Sequence, residues 1–154
     1  MRIGRWLSLM SVAALLVASA CSKSAPTPAA AGGSRASAGD DVAVTLQQWS
    51  ITPSVTTVPA GSVTFDVSNS GTVPHEFVVM STDTAAADFT ISSFEGESDR
   101  FNEDTEGTNA GETGDMEPDA SKTLTLDLAP GHYAFVCNLP AHYGLGMHVD
   151  FTVT

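Results

Sequence analysis

From Val42 onward, apolar and polar residues alternate with a period of two, and Pro or Gly interrupts the alternation at short intervals. Val42, Val44 and Leu46 share one face of a first strand. Ala60-Gly61 turns the chain into Ser62–Ser68, where Val63, Phe65 and Val67 alternate with polar residues. Leu124, Leu126 and Leu128 line one face of Lys122–Leu128, and Gly131–Val136 and His148–Val153 complete the set. Between the first two strands, Ile51–Pro53 and Val55–Pro59 read as irregular edge segments, because each proline removes a ladder donor. Pro74 opens a further strand over His75–Met80. No stretch carries a convincing helical period. Short alternating strands between Pro/Gly turns predict an all-β fold, a Greek-key β-sandwich with a long acidic insertion loop.

That insertion spans about 82–121. Ten acids fall between Glu95 and Asp119 against Arg100 alone, and glycines recur at 96, 107, 111 and 114. Phe89, Ile91 and Phe94 are its visible apolar anchors, so a long, partly disordered surface segment is expected. Its acids do not follow the spacing of a calcium loop.

The amino-terminal end has a different character. Arg2 and Arg5 precede an apolar run from Trp6 to Val17, and Ala18-Ser19-Ala20 is a small-residue cleavage site. Residues 1–20 therefore read as a signal peptide. Cleavage would leave Cys21 first, a pattern that resembles the lipobox of bacterial lipoproteins. Residues 21–41, rich in Ala, Pro, Ser and Gly, read as a lipid-anchored flexible linker to a domain over 42–154. The expected location is the cell membrane, facing the periplasm or the exterior. Removing Arg2 and Arg5 takes the net charge from −12 to −14, which excludes nucleic acid as a partner and favours basic proteins.

If Cys21 carries lipid, Cys137 is a lone thiol in an oxidising compartment, and metal ligation would account for it. Cys137, His142 and Met147 stand at five-residue intervals, C-x4-H-x4-M, in a loop between two strands. A thiolate, an imidazole and a weak axial thioether are three of the four ligands of a blue-copper site. The fourth must be a second His. The period of two puts His75 on the face of Phe77 and Val79, and Cys137 on the face of Tyr133 and Phe135, both towards the core. His75 is thus the candidate. His132 falls on the opposite face from Cys137, and His148 points away if Met147 points in. With four histidines, no His-x-His pair, and Val136 and Asn138 flanking Cys137, the trinuclear cluster of a copper oxidase cannot be assembled. A copper enzyme is therefore not expected.

The Pro130-Gly131-x-Tyr133-x-Phe135-x-Cys137 strand, the His75 strand after Asn69-x-Gly71 and the loop ending at Met147 resemble the cupredoxins, the small blue-copper fold. The loop spacing is similar to that of the rusticyanin and sulfocyanin group. The resemblance implies one copper per chain, held by His75, Cys137 and His142 in a plane with Met147 axial. It further implies that the Asn138 amide donates towards the sulfur and that Asn69 ties the two ligand loops together. A collar of Pro74, Pro140, Ala141, Gly144, Leu145 and Gly146 would expose only the edge of His142, the expected electron port. The function so implied is a monomeric one-electron carrier serving redox partners such as a basic cytochrome or a membrane oxidase. The competing function is copper delivery to another acceptor.

Overall fold

The computed structural model describes residues 40–94 and 96–154. The expected signal peptide, Cys21 and the linker as far as residue 39 lie outside the described residues. The first strand, β1 (Asp40–Gln47), takes up the last two residues expected in the linker. It is followed by β2 (Ser50–Pro53), β3 (Thr57–Val58), β4 (Gly61–Asn69), β5 (Val78–Ser81), β6 (Ile91–Phe94) and β7 (Glu97–Phe101). A one-turn helix α1 (Glu103–Glu106) leads to β8 (Thr108–Glu112), β9 (Ser121–Leu128), β10 (Gly131–Val136) and β11 (His148–Val153). One sheet has the order β2-β1-β4-β9, the other β3-β11-β10-β5-β8, and β6-β7 form a separate hairpin. The two proline-bounded segments sit at edges, as expected: β2 borders the first sheet and β3 the second, so the chain changes sheets between Pro53 and Thr57.

The alternation places the core. Val42, Val44 and Leu46 of β1 and Val63, Phe65 and Val67 of β4 are buried against Val79, Tyr133, Phe135, Phe151 and Val153 of the second sheet and Phe77 just before β5. The architecture is the β-sandwich that the pattern predicted. Leu124 and Leu126 of β9 are only half-buried, because β9 is an edge strand. Leu126 closes the sandwich by lying where a Cβ on Gly111 of β8 would be, 2.5 Å away.

The acidic insertion corrects the expectation. It is no disordered loop: it supplies β6, β7, α1 and β8, and β8 extends the second sheet by pairing with β5. The physical reason is a second core on the outer face of that sheet. Ala86, Phe89, Phe101 and Tyr143 cover Val78, Met80, Ala134 and Val136, all buried. Of the expected anchors Phe89 serves, whereas Ile91 is 43% exposed; Phe101 and Met116, not counted as anchors, are fully buried. Each such phenyl side chain contributes about 2–3 kcal/mol of apolar burial, enough to order a charged segment. Both faces of β5 and β10 are therefore covered.

Candidate metal centre

Cys137 leaves β10 on the face of Tyr133 and Phe135 and is fully buried, without a disulfide. The chain then folds back on itself. The His142 amide donates to Leu139 O (3.0 Å), the Met147 amide to His142 O (3.2 Å) and the Cys137 amide to Met147 O (3.0 Å). A 3-10 turn over Tyr143–Leu145 closes the loop, with Gly146 at φ +112° as its left-handed cap. Met147 is fully buried at the loop's end.

His75 arrives from the other side. The strand expected over His75–Met80 starts only at Val78, and His75 is held instead by a two-way backbone bridge to Met116 (3.1 and 2.8 Å). Its imidazole is fully buried. His75 Nδ1 lies 3.2 Å from His142 Nδ1, which lies 3.3 Å from Cys137 Sγ. The three ligand atoms all fall within 4.8 Å of one another. Gly71 makes room for this: a Cβ there would stand 2.8 Å from His75 Nε2 and 2.6 Å from Gln48 Oε1.

The surroundings set the charge of each group. Burial lowers the pKa of both imidazoles, and His142 lowers that of His75 further. Both are neutral at physiological pH, with lone pairs free to ligate. Burial pushes the Cys137 thiol up to about 11, opposed by the Glu76 amide (3.3 Å from Sγ) and the Leu139 amide. The metal-free thiol stays protonated, and a cation at this spot would convert it to thiolate. A thiolate and two neutral imidazoles, with Met147 buried in the same core at the loop's end, form a donor set that suits copper.

Asn69 takes other partners than expected, and the Glu76 amide, which was not foreseen, donates to the sulfur. The buried Asn138 turns its side chain to Phe101 and Glu103. Asn69 donates to Val73 O and Met116 O and accepts from the Gly71 amide. It thus binds the His75 loop to the acidic segment and not to the Cys137 loop. The collar is as expected on the surface, with Pro74, Pro140, Ala141, Gly144 and Leu145 exposed. His132 instead lies 2.9 Å from Asp150 and 2.8 Å from Thr82 O, and His148 packs on the Tyr143 ring; neither joins the cluster.

Sequence reasoning missed Trp49 and Glu76. Trp49, 38% exposed, sets its ring 4.9 Å from His142 and 6.1 Å from His75. It stands just past β1, where nothing local signals the site. Glu76 should face away from the core by the period of two, yet the acidic segment covers it to 8% exposure. Burial first, then repulsion from Glu112, Glu103 and Asp115, raises its pKa to about 7. An acid whose folded pKa exceeds its unfolded value of 4.5 stabilises the fold below that value and loses the contribution as pH rises towards 7. Glu76→Gln is therefore expected to stabilise the metal-free protein at pH 8 by roughly 3 kcal/mol and to change little at pH 4.5. Urea unfolding at the two pH values checks this, and equal effects at both would contradict it.

The family model for the cupredoxin-like domain matches residues 10–148. Among solved structures, auracyanin B is 22% identical, with 75% of this chain and 88% of that chain covered and a TM-score of 0.53. Auracyanin A, described as a "blue" copper protein from the green thermophilic photosynthetic bacterium Chloroflexus aurantiacus, is 17% identical over 74% and 98% of the two chains, with a TM-score of 0.50. Rusticyanin from Thiobacillus ferrooxidans is 16% identical over 74% and 76%, with a TM-score of 0.51. At these identities the likeness is one of fold. A search of curated proteins finds no match.

Proposed function

The chain belongs to the cupredoxin-like domain family, and on that premise we propose that it is a type 1 (blue) copper protein, a one-electron carrier between redox partners. The observation that carries the reading is the convergence of two neutral imidazole nitrogens and a buried thiol within 4.8 Å. His75, Cys137 and His142 would hold the metal, with the Met147 thioether as the weak fourth donor. Bound copper supplies the chemistry, a single electron exchanged between Cu(II) and Cu(I). The protein's part is to fix the donors and exclude water. His75 and Cys137 are sealed from solvent, while half-buried His142 reaches the surface beside Trp49 and offers the route for the electron.

Around that route the exposed apolar side chains Trp49, Leu145 (51% exposed) and Ile91 offer a contact patch. With a net charge of −14 once Arg2 and Arg5 are removed with the signal, the suited partner is a basic protein, a cytochrome or an oxidase domain. Export with a lipid on Cys21, a linker to residue 41 and a position facing the periplasm or exterior complete the proposal. Delivery of copper to an acceptor would need ligands open to exchange, which burial of Cys137 and His75 opposes.

Repeated reduction by ascorbate and reoxidation by ferricyanide, with a Cu(I) chelator in excess, tests the carrier reading. The copper is expected to stay bound through many cycles. Its loss to the chelator on the first reduction would favour delivery.

A further inference from the structure

Three residues flanking His142 are bonded to one distant segment of the acidic insertion. Asn138 Oδ1 accepts from the Phe101 amide (3.1 Å), and its Nδ2 donates to Phe101 O (3.1 Å) and Glu103 Oε1 (3.0 Å). The Ala141 amide donates to Asp99 O (3.0 Å). The Tyr143 hydroxyl donates to Ala86 O (2.7 Å) and accepts from the Phe89 amide (2.8 Å), while its ring stacks on Phe89 and meets Phe101 edge-on. Asn138 and Tyr143 are buried, so these bonds are shielded from water.

We propose that residues 86–89 and 99–103 act as a brace that pre-forms the Cys137–His142 limb of the loop before any metal arrives, with Asn138 and Tyr143 as its positioning residues. The loop's internal bonds alone leave the stretch between the two ligands loosely determined. The brace grips it at 138, 141 and 143 and so fixes two things: the path of the chain past Ala141 at φ +67°, and the placement of the imidazole between Ala141 and Tyr143. A limb ordered in advance spares the metal the entropy of ordering it and resists movement when the metal's charge changes. Copper enters only through this last consequence, which rests on the proposed function; the brace itself belongs to the metal-free chain.

The test is amide hydrogen exchange in the metal-free protein, comparing Tyr143→Phe and Asn138→Leu with Thr123→Val. The last removes the Thr123–Asp66 side-chain bond on the other sheet and serves as control. Each brace variant is expected to speed exchange at Ala141, His142 and Leu145, whose amides are bonded to Asp99 O, Leu139 O and Ala141 O, roughly tenfold, the effect of about one lost hydrogen bond. The two sheets should keep their protection, and the control should leave the loop unchanged. Unchanged exchange in the loop of both brace variants would overturn the brace. Should Asn138→Leu fail to fold, Tyr143→Phe, which deletes a single oxygen, decides alone. In the copper-loaded protein the same variants are expected to shift the reduction potential, since a loosened loop holds the His142 imidazole and the sulfur less firmly. A loop that loosens in a protein that never turns blue would leave the brace standing and sink the copper reading.

Discussion

Cys137→Ser is expected to remain folded and to lose copper affinity by on the order of a thousandfold or more. A thousandfold corresponds to about 4 kcal/mol. Cys137 is the donor of the cluster that turns anionic on metal binding, and its sulfur sits 3.3 Å from both His142 Nδ1 and the Glu76 amide. A serine oxygen can still accept from that amide, so the folding cost stays near 1 kcal/mol. It cannot become an anion at neutral pH, and it is a hard donor where Cu(I) demands a soft one. Competition titration against a chelator of known affinity, alongside urea unfolding, measures the two effects separately. An affinity within tenfold of the parent would show that the thiol does not bind the metal.

Phe65→Ala is expected to destabilise the protein by about 4 kcal/mol. Its ring is fully buried on β4 and meets Phe77, Phe135 and Phe151 at 5.5, 5.3 and 6.0 Å. The cavity would open behind both ligand-bearing segments, since Phe77 lies two residues from His75 and Phe135 two from Cys137. Thermal unfolding should move down by roughly 15 °C for a domain of this size. A loss below 1 kcal/mol would mean that the two sheets do not share the core described.

The β-sandwich was legible because its inner faces obey one rule. Val42, Val44 and Leu46, then Val63, Phe65 and Val67, alternate with polar residues and are buried as the period of two dictates. The same rule brought His75 and Cys137 to inward positions, and the structure places them together with His142. What the rule could not see was the outer face of the second sheet. Ala134 and Val136 read as ordinary outward positions, yet they are fully buried under Phe89 and Phe101. Those two aromatics sit in a stretch whose charge argued for disorder; their pairing with Tyr143 is a long-range contact that no local window contains. The side-chain partners of Asn138 were hidden for the same reason, since they lie in that segment. Glu76 followed, its burial being imposed by the segment's fold.

The central claim is that His75, Cys137, His142 and Met147 form one blue-copper site, and the most direct measurement is a Cu(II) titration of residues 22–154 followed by visible absorption and EPR. The account predicts an intense blue thiolate-to-copper band with narrow hyperfine splitting. Both should saturate at one copper per chain and vanish in Cys137→Ser. A pale, ordinary Cu(II) spectrum that survives Cys137→Ser would contradict it.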